Sequence, residues 1–371
     1  PILIVGPVGL LRNWEAEIKH HLHDGALGTC ASAYGEKLRL FKRGKHSDGT
    51  ARLDTSAIGQ AGVVLVSYES LSNLQLDFGT IRFAAMVLDE AQKVKSPSAR
   101  VTHAVKAMHS DFTLVMTGTP VENRLADLWC IADAAQPTLL GSLREFSATY
   151  EGKHRRLESL REKIWEASAC DTVKEPKLML RRLKSEALQG LPNKREHVLK
   201  VLMPPRQEEA YRRTVSVQAL AGAAGMLKMI QDLRRVSLHP VLAEGGATES
   251  DQLKIDESAR FIGCFQVLDR VAGQGEKALI FLESLELQSD TLLPAILMRR
   301  YGMRQLPSVI NGTVAPERRQ VLVDRFQQGK GFDVMILSPK AGGVGLTLTA
   351  ANHVIHLSRW WNPAVEDQCS C

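Results

Sequence analysis

The sequence predicts an α/β protein with two parallel sheets, and three observations support that prediction. Short apolar runs recur, each followed by a turn or a helical stretch; the runs are continuous, not alternating; and a charged, helix-favouring middle splits them into two groups. Continuous runs suit strands buried on both faces, and strands interleaved with helices imply βαβ units. The first group is Ile2-Leu3-Ile4-Val5, Val63-Val64-Leu65-Val66, Met86-Val87-Leu88 and Thr113-Leu114-Val115-Met116. The second is Ala278-Leu279-Ile280-Phe281, Val334-Met335-Ile336-Leu337 and Val354-Ile355-His356-Leu357. Between them, Arg155 to Ile164 and Gln207 to Arg213 read as helices. The tandem Pro204-Pro205 breaks regular structure. A first lobe is therefore expected over 1–203, and a helical connector with a second lobe over 204–371. Ala219 to Gly225 and Glu244-Gly245-Gly246-Ala247 are expected flexible points.

Composition bounds the class. At roughly 100–200 residues per domain, 371 residues suggest two or three domains. With 44% apolar and 24% charged residues the chain is an ordinary globular one, which excludes a disordered tail, a collagen-like rod and a disulfide miniprotein. Its apolar runs fall short of the ~20 residues that a membrane helix needs, and no basic-then-apolar leader opens it. Lys+Arg 47 against Asp+Glu 41 leaves +6, a weak pull toward a polyanion. Six cysteines without a C-x-x-C pair suit neither a zinc site nor a disulfide framework, so a reducing compartment is expected. Cys369-Ser370-Cys371 is weak as a metal site. His20-His21-Leu22-His23 reads as a solvated helix end, with no carboxylate or thiol at ligand spacing.

Three segments could carry chemistry. Met86-Val87-Leu88 runs into Asp89-Glu90-Ala91-Gln92, placing two carboxylates at the carboxyl end of a buried strand, where open α/β sheets bind ligands. Asp89 could meet Mg²⁺, which takes one or two carboxylates plus phosphate oxygens, leaving Glu90 to orient or deprotonate a water. The competing reading is an acidic pair opening a helix. Thr117-Gly118-Thr119-Pro120 sets two hydroxyls around a glycine at the next strand end, fit for a phosphate, a hydrogen-bond relay or merely a capped turn. Lys340-Ala341-Gly342-Gly343-Val344-Gly345-Leu346 could bring backbone amides to a phosphate, although such spacing is common by chance.

In order, these blocks and Trp360-Trp361-Asn362-Pro363-Ala364 resemble the Swi/Snf-type ATPases of helicase superfamily two. Other blocks agree: Pro7 to Leu11 with Asn13-Trp14-Glu15-Ala16-Glu17, Leu180 to Lys184 with Leu191-Pro192-Asn193-Lys194, Leu233 to Pro240, and Asn311-Gly312 through Arg318-Arg319 to Phe326. The resemblance implies two RecA-like lobes with ATP in the cleft between them and double-stranded DNA across both. It makes Asp89 the Mg²⁺ carboxylate and Glu90 the water-activating one. Gln92, where relatives more often have His, would couple nucleotide state to DNA contact. Thr117, Gly118 and Thr119 would link hydrolysis to lobe movement, and Gly343 and Gly345 would approach the nucleotide. Asn13, Trp14, Ser338, Lys340 and Trp360 are assigned to DNA, with packing an equal alternative for Trp14 and Trp360. Lysines and arginines would grip phosphates without reading bases, and Lys37 to Lys45 is a candidate surface or simply a solvated loop.

Two family motifs do not occur in the sequence: a P-loop ending Gly-Lys-Ser or Gly-Lys-Thr, and the arginine fingers expected after Gln368. With Pro1 leading directly into an apolar run, this gives the expectation of an internal fragment, inactive by itself. A further expectation is a first sheet with a gap or a mispaired edge where the P-loop strand belongs. The expected function is an ATP-driven duplex-DNA translocase that remodels protein–DNA complexes. Alternatives are a superfamily-two RNA helicase and a non-hydrolysing nucleic-acid-binding module. A monomer is expected, cytoplasmic and nucleoid-associated in a bacterium or nuclear in a eukaryote, with no membrane partner.

Overall fold

The structure, a computed structural model, describes residues 1–23, 25–47, 49–121, 124–152, 157–165, 178–180, 194–219, 222–339, 346, 348–360, 362–363 and 366–367. The chain divides into two compact units, Pro1–Arg195 and Glu196–Cys371.

The first unit is built on strands β1 (Ile2–Gly6), β2 (Cys30–Ala33), β5 (Val63–Ser67), β6 (Arg82–Leu88) and β7 (His109–Val115), with a separate hairpin of β3 (Lys42–Lys45) and β4 (Ala51–Leu53). The sheet order is β2-β5-β1-β6-β7 and every pairing is parallel. Parallel neighbours need crossover connections, and helices such as Val8–His21, Arg100–Lys106 and Leu125–Ala135 supply or flank them. Every residue of β5 is buried, and Leu3, Val5, Val64, Val66, Phe83 and Leu88 form the core with Phe78 and Leu71 from the helices. The expectation of strands buried on both faces fails at β7. This strand closes the sheet, and Phe112 and Leu114 are 61% and 43% exposed. Helices packed on both faces bury the inner strands, and β7, with one strand neighbour among the described residues, lies at the margin of that cover. The inner strands β5, β1 and β6 are paired on both sides and the edge strands β2 and β7 pair in constant register with their neighbours, so neither the expected gap nor the mispaired edge is found among the described residues.

The second unit carries β8 (Lys277–Phe281), β9 (Ser308–Ile310), β10 (Asp333–Leu337) and β11 (His353–His356) in the order β11-β8-β10-β9, again all parallel. Ala278, Ile280, Val334 and Ile336 pack on Phe261, Phe265 and Leu268 of the helix Ala259–Gln274. That helix is capped by Ser258, which accepts from the Phe261 amide, and stops at Gly275, whose φ of +67° is the left-handed turn that a glycine adopts without strain. Lys277 is 6% exposed and donates to the carbonyls of Phe326 and Gln327, satisfying the end of the helix Pro316–Gln328.

Helices dominate the middle, as the charge pattern predicts: Leu157–Trp165, Pro205–Ala219 and Gly222–Leu238. Pro205 opens its helix, a position where the missing amide costs nothing. The expected flexible stretch 219–225 is in part helical, since a helix begins at Gly222; positions 220 and 221 lie outside the described residues. The loop at 244–247 is present but tied down, with the Gly246 amide on the Val241 carbonyl and the Ala247 amide on Glu286. His20 and His21 end the helix Val8–His21, and His21 pairs with Glu17 at 2.9 Å on the exposed surface.

Candidate functional site

The strand order of the first sheet turns at β1 and β6. From β1 the chain leaves toward β2 on one side, and from β6 it leaves toward β7 on the other. The carboxyl ends of two such neighbours enclose the crevice where open α/β sheets bind ligands. Val5 pairs with Leu88, so Gly6 and Asp89 stand side by side at that crevice. A Cβ on Gly6 would lie 3.5 Å from the Asp89 Cβ, in ordinary contact.

Asp89 is held at four points. Its amide donates to the Val5 carbonyl at 2.8 Å, and its own carbonyl accepts from the Tyr68 hydroxyl at 2.9 Å. In the carboxylate, Oδ2 accepts from the Trp14 indole Nε1 at 2.9 Å and Oδ1 from the Glu90 amide at 2.9 Å. Tyr68 is buried, and that burial with the neighbouring Asp89 charge raises its hydroxyl pKa, keeping it a proton donor.

Glu90 adopts φ 51° and ψ 51°, the left-handed region, a strain of about 1–3 kcal/mol for a residue with a Cβ. Its Oε2 accepts from Gln92 Nε2 at 2.7 Å, and Gln92 Oε1 accepts from the Thr117 hydroxyl at 2.8 Å. A carboxylate accepts only, which assigns the amide: Gln92 must turn its NH₂ to Glu90. Thr117 Oγ1 then accepts the Thr119 amide at 3.1 Å. Backbone bonds run alongside, from the Ala91 amide to the Met116 carbonyl at 3.0 Å and from the Met116 amide to Leu88 at 2.8 Å. An unbroken polar chain thus joins the end of β6 to the end of β7. Thr119 is buried, while Gly118 is exposed with open space around it.

Among the described residues no three His, Cys, Asp or Glu side chains gather as a metal site. One carboxylate at a strand end instead suits Mg²⁺ that arrives on phosphate oxygens and keeps several waters. Asp89 fits that role with lone pairs left over beside its two hydrogen bonds.

The remaining expected residues are dispersed. Asn13 is half-buried on the helix Val8–His21, one position before Trp14, whose indole is turned to Asp89 and packs beside Ile4, Leu11 and Val63. In the second unit Ser338 follows β10 and its hydroxyl accepts from Gln288 Nε2 at 3.0 Å; Gln288 in turn accepts from Asn311 at 2.9 Å. The half-buried Trp360 donates its amide to Glu366 at 2.7 Å, and Arg359 grips the same carboxylate. Lys340, Gly343 and Gly345 lie outside the described residues, as do Trp361 and Cys369 to Cys371. The stretch Lys37 to Lys45 is mixed. Lys37 pairs with Glu15 and Arg43 with Asp54, while Arg39, Lys42 and Lys45 are exposed and make no ion pair among the described residues.

The SNF2-related domain matches residues 1–242, and the helicase conserved C-terminal domain matches residues 263–371. The chain belongs to the SNF2-related family. Zorya protein ZorD of Escherichia coli O139:H28 is 34% identical to this SNF2-related chain, across 100% of it and 35% of ZorD. An uncharacterized ATP-dependent helicase of Mycoplasma pneumoniae is 27% identical, across 100% of this chain and 33% of that protein. The SWI2/SNF2 ATPase core of Sulfolobus solfataricus, solved with double-stranded DNA, is 24% identical with a TM-score of 0.42, covering 98% of this chain and 72% of that one. The chain spans about a third of the length of the curated relatives it matches.

Sequence reasoning missed Tyr68 in this SNF2-related site. The available signal was its place: a phenol directly after the fully buried β5, next to β1, where the polar tip of an aromatic residue needs a partner.

Proposed function

We propose that this chain is the motor core of an ATP-driven translocase on double-stranded DNA, in which Asp89 meets the Mg²⁺ of the nucleotide and Glu90 orients and deprotonates the attacking water. The observation that carries the reading is the polar chain Glu90–Gln92–Thr117–Thr119, which ties the water-activating carboxylate to the end of the next strand. Through these bonds a change at the phosphate would be passed from Glu90 to the end of β7. Mg²⁺ bound with the nucleotide supplies charge neutralisation; Asp89, fixed by Trp14, Tyr68 and Val5, supplies a carboxylate in a set orientation. The Mycoplasma relative is named an ATP-dependent helicase, which supports ATP as the fuel. Duplex DNA in preference to RNA rests on the Asn13-Trp14-Glu15 and Trp360-Trp361-Asn362-Pro363-Ala364 blocks. Its targets would be DNA-bound proteins, displaced by a monomer working on the nucleoid of a bacterium or in a eukaryotic nucleus.

These 371 residues contain no Gly-Lys-Ser or Gly-Lys-Thr, so a polypeptide of this stretch alone is read as a non-hydrolysing nucleic-acid binder. The test uses the complete gene product. Its ATP hydrolysis is measured without nucleic acid, with duplex DNA and with structured RNA. Stimulation by duplex DNA supports the proposal; stimulation by RNA alone assigns the chain to the RNA helicases, and salt-dependent DNA binding without turnover makes it a binding module.

A further inference from the structure

Trp14 stands on the helix that leaves β1, and its partner Asp89 is 75 residues away in sequence. Trp14 packs against the apolar cluster of Ile4, Leu11, Tyr34, Val63 and Leu65, of which Leu11 lies three residues earlier on the same helix. Packing of that kind needs an aromatic ring but no N–H group. An indole N–H is a donor only, and it finds its acceptor when half-buried. Here the acceptor is Asp89, the carboxylate proposed to meet the cation of the nucleotide. With the Glu90 amide on Oδ1 and the indole on Oδ2, each oxygen of Asp89 carries one donor, and a rotation of the side chain breaks both bonds. The backbone offers no slack, since Val5 and Tyr68 hold both of its polar groups.

We propose that Trp14 is a positioning residue for Asp89, and that its indole hydrogen bond is coupled to the occupancy of that carboxylate by a divalent cation. The proposal rests on Asp89 being the carboxylate that meets the cation of the nucleotide. A cation at the carboxylate brings positive charge next to the indole, so occupancy changes the field around the ring while the bond holds the carboxylate in the orientation the cation needs. Conversely, an Asp89 without the indole samples other orientations and presents its oxygens to the cation less often. Trp14 is therefore both a brace and a built-in optical reporter.

The complete gene product is compared with Trp14→Phe, which keeps an aromatic ring in the packing and deletes the donor, and with Asp89→Asn, which leaves the indole in place. Tryptophan emission is followed during titration with Mg²⁺ at a fixed, saturating concentration of ADP. A saturable change in the native protein that is lost in both variants is the expected result. In a parallel assay, the Mg²⁺ concentration for half-maximal ATP hydrolysis rises about ten- to 150-fold in Trp14→Phe, the range for one hydrogen bond to a charged group, with kcat at saturating Mg²⁺ within about twofold of native. An emission change that survives in Trp14→Phe or in Asp89→Asn overturns the proposal. So does a fall in kcat at every Mg²⁺ concentration with the half-saturation unchanged, which is the mark of packing alone. A native protein that hydrolyses no ATP on DNA refutes the translocase reading instead, and the emission titration still decides the role of Trp14.

Discussion

Replacing Gln92 by Ala removes the middle link of the polar chain at the end of β6. Two bonds go with it: the 2.7 Å bond to the Glu90 carboxylate and the 2.8 Å bond from the Thr117 hydroxyl. A hydrogen bond to a charged group contributes about 1.5–3 kcal/mol, so Glu90 loses the partner that holds it in a strained left-handed turn. If that positioning is felt fully in the transition state, kcat falls about ten- to 150-fold, at 1.36 kcal/mol per decade. Thr117→Val breaks the neutral end of the chain and costs about 0.5–1.5 kcal/mol, or roughly two- to tenfold. The two losses are not independent, because both pass through the Gln92 amide. In the double variant the combined loss falls short of the product of the two singles by about the Thr117→Val loss itself, roughly two- to tenfold, a coupling typical of residues in one network. The assay is DNA-stimulated ATP turnover of the complete gene product, with melting temperature as a control for folding. Strictly multiplicative losses would show that Gln92 and Thr117 act separately and would refute the relay.

Three other outcomes follow from the geometry. Lys277→Ala orphans the carbonyls of Phe326 and Gln327 and empties a buried site, at a cost of roughly 2–4 kcal/mol; Lys277→Met keeps the stem and loses less, and equal melting temperatures for both would argue against the cap. His239 is fully buried, accepting from the Val241 amide at Nδ1 and donating from Nε2 to the Lys254 carbonyl, so it must be neutral; burial pushes its pKa below 6.5. An unfolded histidine keeps its ordinary value, so this contribution to stability is complete above about pH 6.5 and fades as the pH falls below it. Melting of the second unit followed from pH 7.5 to 5 should show that loss, and His239→Gln should flatten it; a profile unchanged by the substitution would contradict it. Lys42→Glu with Lys45→Glu, on the exposed strand β3, is expected to reduce the slope of log K against log salt for DNA by about two and leave basal ATP turnover unchanged.

What could be read in the sequence was what local pattern controls. The apolar runs Val63–Val66 and Ala278–Phe281 belong to inner strands, and each of those strands is buried throughout. Cys30–Ala33 escaped notice because its small residues carry no apolar run, and Ser308–Ile310 because three residues leave no periodicity to detect. The exposure of Phe112 and Leu114 was invisible for a different reason: it depends on β7 being the last strand in order, a property of topology and not of β7. The site divides in the same way. Two carboxylates directly after a buried strand mark Asp89 and Glu90, and a motif places Thr117 and Gln92, but only the fold shows them as consecutive links. The turn of Trp14 to Asp89 is set by the parallel pairing of β1 with β6, which no spacing along the chain encodes.

The central claim is that Glu90 activates the water in a nucleotide site completed by Asp89. Glu90→Gln keeps the shape and a hydrogen-bonding side chain but removes the carboxylate base. In the complete gene product, DNA-stimulated ATP hydrolysis should fall by a factor of about 10² to 10⁴, the usual worth of a general base, with ATP binding retained. Turnover within about threefold of native in Glu90→Gln would contradict the assignment of Glu90 as the water-activating carboxylate.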